Sequence, residues 1–129
     1  MKNYAGINIQ WPISRDITSG KKTIETRTYP IPEKFLNKDM ALIETPGAKG
    51  KFKSRIIAII RFTSCFKYKN KNEFYKDFER HLVDPKSPWA WADKPKFGWE
   101  VEIVQLISKP IEMPKRPGIM YSKDLYLQL

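Results

Sequence analysis

The chain has 129 residues, of which 41% are hydrophobic and 29% charged, a balance that supports one folded domain with a real core and excludes wholesale disorder. Its 24 lysines and arginines outnumber 14 aspartates and glutamates, giving a net charge of +10, which favours a polyanionic partner such as nucleic acid. The single cysteine, Cys65, excludes an internal disulfide, no Cys/His spacing matches a zinc site, and neither a secretory core nor a membrane-spanning apolar run is found. The expectation is a cytoplasmic protein of one domain over residues 1–129, a monomer or weak dimer, with no membrane association and no cofactor.

Residues 4–10, "YAGINIQ", alternate and predict a strand; "WPISRDITSG" has proline near its start and Gly20 at its end, the pattern of a short helix or turn. Residues 22–28, "KTIETRT", are β-branched and alternating, predicting a second strand, and "DMALIET" (39–45) predicts a third, closed by the turn "PGAKGK". Residues 55–66, "RIIAIIRFTSCF", are apolar on both faces, which suits a strand buried in a barrel better than one on an open sheet and makes it the expected central element. "NKNEFYKDFERHL" then sets Phe74, Phe78, His81 and Leu82 at helical spacing, with Asn70 three residues before Glu73 in the manner of a capping box. An irregular loop rich in proline and tryptophan leads to the strand "FGWEVEIVQLIS" (97–108), and the proline-containing tail reads as a wrapping segment ending in a short strand or turn. Five or six strands with two or three short helices make an α+β domain, expected to close into a small β-barrel because closure removes exposed edges.

The charge is uneven. From position 34 to 71 there are ten basic residues against two acidic ones, Asp39 and Glu44. A second concentration lies in "SGKKTIETRTYP" (19–30). Glu25 and Arg27 stand two apart on the expected strand, so their side chains leave the same face with Cα atoms roughly 6.5–7 Å apart. Thr23 and Tyr29 share that face and Ile24 points to the core, whereas Lys22 sits at the helix-to-strand junction, where the pleat does not fix its direction. Arg27 favours the ionised form of Glu25, which makes this carboxylate an acceptor for the exocyclic amine of cytosine or the N–H and amine edge of guanine. Lys22 and Arg27 then suit a phosphate or a base carbonyl. The Glu25 carboxylate is expected to keep Lys22 protonated, as an electrostatic clamp rather than a base. The alternative is a structural ion pair, which at a surface contributes only about 0–1 kcal/mol.

Aromatic residues supply stacking candidates. Trp89 and Trp91 lie in the proline-stiffened loop and Trp11 precedes the charged stretch; bases stack on such rings for about 1–3 kcal/mol each. Trp99, alternating with Phe97 and Val101, is expected in the core, as is His81. Cys65 lacks a neighbouring base and is not a candidate nucleophile. Glu100 and Glu102 share a strand face, which fits a like-charge site and solvent exposure equally. The nucleic-acid-binding set is therefore Trp11, Lys22, Glu25, Arg27, Tyr29, Trp89 and Trp91, with Lys22 and Glu25 the catalytic pair if the protein is an enzyme.

The segment "QWP" (10–12), the run Gly20, Lys22, Glu25, Arg27 in Gly-x-Lys-x-x-Glu-x-Arg spacing, the apolar strand and the late "FGWEV" together resemble the ASCH family of the PUA-like superfamily, over roughly positions 8 to 107. The resemblance implies a small β-barrel with a cleft beside the motif that binds RNA or a nucleotide. Members include an amidohydrolase acting on N4-acetylcytidine and a ribonuclease, and others are tied to RNA metabolism or transcriptional coactivation. The amidohydrolase branch resembles this chain at Gly20, Lys22 and Arg27 but has threonine in place of Glu25. The expected function is binding of RNA or a modified nucleotide in a basic cleft, with a metal-independent hydrolase as the alternative and a protein-interaction domain third.

Overall fold

The computed structural model describes residues 2–113 and 121–129. Strand β1 (Lys2–Gln10) is followed by helix α1 (Ile13–Thr18), the short strand β2 (Ile24–Arg27), a single 3-10 turn at Glu33–Phe35, and strands β3 (Asp39–Thr45) and β4 (Arg55–Lys67). Helices α2 (Lys71–Lys76) and α3 (Phe78–His81) and strands β5 (Phe97–Glu112) and β6 (Tyr121–Leu127) come after. The six strands form one mixed sheet in the order β2-β5-β4-β3-β1-β6, in which only β1 and β3 run parallel. The class is α+β.

The centre of the sheet is apolar on both faces, as the run at 55–66 predicts. Met40 and Leu42 of β3 pack with Ile7, Ile60, Phe62 and Trp99, while the alternate residues Ala41 and Ile43 pack with Ile56, Ile59, Leu125 and Leu127. Period-two alternation thus divides β3 between two cores, and β4 is shared between the same two with the adjacent Ile57 and Ala58 in one cluster, where its register with β5 shifts. Each such fully buried side chain contributes roughly 1.5–3 kcal/mol. A smaller cluster of Tyr68, Phe74 and Val83 is built around α2.

Two expectations are corrected. The helix expected over residues 70–82 is two helices, broken at Asp77, whose carboxylate accepts from the Tyr68 hydroxyl and from Arg80 Nη2 at 2.9 Å. Its start is as expected, because Asn70 Oδ1 accepts from the Glu73 N–H at 2.8 Å. The sheet, moreover, is not closed into a barrel: β2 and β6 are its two edges and do not pair. With four residues, β2 is too short to zip along β1, and α1 is inserted between the two in the chain. Since β6 covers the outer edge of β1 only from Lys2 to Ile7, a seam remains between the end of β1 and β2. Residues 114–120 of the proline-rich tail lie outside the described residues, and the strand expected at its end is β6. Among the described residues, no helix is long and apolar enough to cross a membrane.

Candidate nucleotide site

The charged stretch is placed by a glycine. Gly20, at φ +82°, adopts the left-handed conformation that ends α1, and its N–H donates to Ile17 O at 3.0 Å. The chain then turns so that the Lys22 N–H reaches Asp16 O at 2.9 Å and Thr23 is fastened on both sides, its N–H to Arg80 O and its carbonyl to the Val101 N–H, each at 2.9 Å. These bonds settle what the pleat left open: the Lys22 side chain turns inward, is 4% exposed, and donates from Nζ to His81 O.

Glu25 is buried beside it, with Oε1 3.9 Å from Lys22 Nζ and 3.2 Å from the Thr26 N–H. Arg27 Nη2 donates to Glu25 Oε2 and to Asn8 O, both at 3.1 Å, and its guanidinium lies over the Trp99 ring at 5.7 Å. Tyr29, just beyond β2, meets the edge of Trp99 at 5.7 Å and accepts from its indole N–H at 3.3 Å. Glu25 and Arg27 are therefore brought together, as the spacing predicts, and they are joined by Lys22, whose direction the spacing left open. The Asn8 contact explains more: a guanidinium, not backbone pairing, bridges β2 to β1 at the seam.

A cavity of about 440 Å³ lies at this seam, within the roughly 300–1,000 Å³ of small-molecule sites. Asn8 and Gln10 of β1, Ile13 and Asp16 of α1 and the residues from Lys22 and Glu25 to Tyr29 line one side of it; His81, Leu82, Val83, Asp84, Ser87, Trp89 and Lys96 line the other. Lys22 fastens the start of the loop 82–96 through His81 O, and Lys96 at its end holds the middle of the loop through Trp89 O at 2.7 Å. Burial lowers the affinity of both ammonium groups for their proton. For Lys22 the nearby Glu25 and Asp16 carboxylates oppose this only in part. The expectation that Glu25 would govern Lys22 is thus corrected, because desolvation of the ammonium is the larger effect.

The other candidates separate. Trp89 lines the cavity with 48% of its surface exposed. Trp91 instead packs on Phe74, with ring centroids 5.6 Å apart, and its N–H donates to the Tyr75 hydroxyl at 3.0 Å. Trp11 lies outside the cavity, edge-on to Phe52 at 6.2 Å. Trp99 is fully buried, as expected. His81 is buried and stacked on Phe74 at 4.1 Å; Nδ1 accepts from the Val83 N–H at 2.9 Å, so Nε2 carries the proton and donates to Phe74 O at 2.6 Å. Burial pushes its pKa down, and these bonds also hold Leu82 in its left-handed conformation, φ 58°. Glu100 and Glu102 form no joint site, since they pair with Arg80 at 3.6 Å and Arg61 at 3.3 Å.

No pattern in the sequence singles out Lys96, a lysine among prolines, or a fully buried carboxylate at Glu44. Glu44 accepts from Ser14 Oγ at 2.7 Å, Arg15 Nε at 2.8 Å and Arg55 Nε at 2.9 Å, tying α1 to β3 and β4 behind the cavity. Burial pushes this carboxyl up, but the three donors outweigh it and hold it below the usual range.

No family model matches the chain, and no curated protein matches it in sequence. Solved structures do match. An ASCH protein from Zymomonas mobilis superimposes with a TM-score of 0.70 over 93% of this chain and 86% of its own, at 17% identity. Two single-residue variants of that protein give TM-scores of 0.68 at 18% identity, covering 95% and 93% of this chain and 90% and 87% of theirs. At this identity the likeness is one of fold, and the fold is ASCH-like, as the motif resemblance implied.

Proposed function

We propose that this ASCH-like domain binds RNA by taking one base into the cavity at the β1–β2 seam, where Glu25 reads its amine edge. The observation that carries the reading is the buried Glu25 carboxylate between Lys22 and Arg27, in a cavity of nucleotide size, on a chain of net charge +10. An ionised carboxylate only accepts, so it favours the N4 amine of cytosine or the N1–H and amine of guanine over uracil, which has no amine. Adenine also offers an amine but lacks the carbonyl that the adjacent cations favour. Lys22, Arg27 and Lys96 are held by backbone and side-chain partners, and their charge favours a base carbonyl beside them. Tyr29 and Trp89 offer rings at the entrance. Titration of cytosine-, guanine-, uracil- and adenine-only single strands tests the reading. Cytosine or guanine should bind tightest, and Glu25→Gln, which replaces one acceptor oxygen by a donor, should erase that order. Equal affinity for all four in the native protein contradicts it.

One observation favours a hydrolase as the second reading: burial eases loss of the Lys22 proton inside a cavity that also holds a carboxylate, which is what a lysine base or nucleophile requires. Hydrolysis of N4-acetylcytidine by the purified protein decides. Turnover abolished by Lys22→Met establishes the enzyme, and absence of turnover with retained binding leaves the binding module.

A further inference from the structure

The ten basic residues from position 34 to 71 do not form one patch. Arg55 and Arg61 are tied to Glu44 and Asp39, at 2.9 and 2.6 Å. Lys34 and Lys38 line a shallow depression with Lys2, at the opposite end of β1 from the cavity, roughly 20 Å away at the rise of a strand. Lys67, Lys69 and Lys71 surround the start of α2. Of these ten, among the described residues, the three on the loop 46–54 between β3 and β4 form the group that is both uncompensated and beside the cavity. Lys49, Lys51 and Lys53 are exposed there, and none makes an ion pair among the described residues.

This loop is seated on the cavity rim. Gly47, at φ +63°, lies so close to Gln10 that an added Cβ would stand 2.4 Å from its amide nitrogen, and both Gln10 and Thr45 line the cavity. The loop closes on itself through the Gly50 N–H to Pro46 O at 2.9 Å, and its base is held by the Trp11 N–H to Thr45 O at 2.7 Å. Phe52 turns inward, half-buried against Trp11 and under the Arg55 guanidinium at 4.1 Å. Its neighbours Lys51 and Lys53 are consequently turned to solvent.

We infer that the loop 46–54 is a backbone track for single-stranded RNA, on which Lys49, Lys51 and Lys53 contact the phosphates flanking the base held in the cavity. The inference rests on the proposal that the cavity takes a base, and it assigns affinity and selectivity to different elements: the loop holds phosphate without regard to sequence, and the cavity reads the base. Each neutralised single-strand phosphate contributes about 0.7 to the slope of log affinity against log salt.

The test compares the native protein with the triple variant Lys49→Gln, Lys51→Gln, Lys53→Gln. Two probes are used, a fluorescein-labelled eight-nucleotide single strand containing one cytosine, and cytidine, which carries the base without a flanking phosphate. All three side chains are exposed, so the variant keeps the fold, which a thermal melt verifies. For the eight-mer, the salt slope should become shallower by about 2 and affinity at 0.1 M salt should fall roughly 100-fold. Affinity for the nucleoside, which offers these lysines no phosphate, should stay the same. An unchanged slope for the eight-mer overturns the track while leaving the cavity reading intact, and an equal loss for both probes overturns the division of roles. If the native protein binds the eight-mer through these lysines but ignores the nucleoside, the cavity reading fails and the track stands. Failure of the native protein to bind either probe overturns both.

Discussion

Lys22 carries two opposed influences, and their order decides its behaviour. Burial disfavours its charge, and Glu25 at 3.9 Å and Asp16 favour it less strongly. Because the folded pKa is lowered, the unfolded chain binds more protons between that value and about 10.4, so stability rises with pH through this window. Lys96 acts in the same sense. Thermal melts from pH 7 upward should therefore show a rise that Lys22→Met reduces and that Lys22→Met with Lys96→Met reduces further. Above about pH 10 the trend should reverse. There Tyr68, whose hydroxyl is pushed up by burial and by its bond to Asp77, keeps its proton folded and loses it unfolded. A native protein whose melting temperature falls steadily from pH 7 to 10 would contradict this order of effects. The sequence placed Glu25 and Arg27 on a common face, because two residues on a strand have only one option. It left Lys22 open, since the residue precedes the strand and its direction depends on His81, fifty-nine positions away.

At the scale of elements, the loop 82–96 and the helix α1 make separable predictions. Trp89→Ala should weaken binding of the preferred strand by about 1–3 kcal/mol and leave the melting temperature nearly unchanged, because the ring is half-exposed at the cavity. Trp91→Ala should do the reverse, lowering the melting temperature through lost packing on Phe74. Binding isotherms and melts of both variants check this, and identical behaviour of the two would show that the loop acts as one unit. Glu44→Gln should destabilise by about 1–3 kcal/mol, since it weakens the charge-assisted hydrogen bonds from Ser14, Arg15 and Arg55 while the partly exposed guanidinium groups keep water. The native protein should also lose that stabilisation in acid, as pH falls below about 4.5 toward the lowered folded value, and the variant should not. Urea titrations at pH 7 and pH 4 measure both effects. Elements governed by local pattern were legible: β3 runs over the seven residues, 39–45, where a strand is expected before the turn, and Asn70 caps α2. The break at Asp77 was not, because its cause is Tyr68 on one side and Arg80 on the other, with no local sign such as proline or glycine.

At the scale of the whole molecule, an edge left open makes the site. A barrel closed along β1 and β2 would fill the seam with backbone pairing; instead α1 and the shortness of β2 keep the strands apart, and Arg27 spans the gap to Asn8. The expected barrel therefore erred just where the cavity lies. Strand composition predicts that edges want cover, but not that a side chain can supply it. The net charge was legible as a total and not as a distribution, since whether an arginine is paired, as Arg55 and Arg61 are, depends on carboxylates brought in by the fold.

The most direct test is amide and indole chemical-shift mapping during titration with cytidine and guanosine monophosphates. If a base enters the seam, the largest shifts should fall on residues 22–29, on Asn8 and on the Trp89 indole, and Glu25→Gln should diminish them. Shifts confined to the depression around Lys2, Lys34 and Lys38, or none at millimolar nucleotide, would contradict a nucleotide site between β1 and β2.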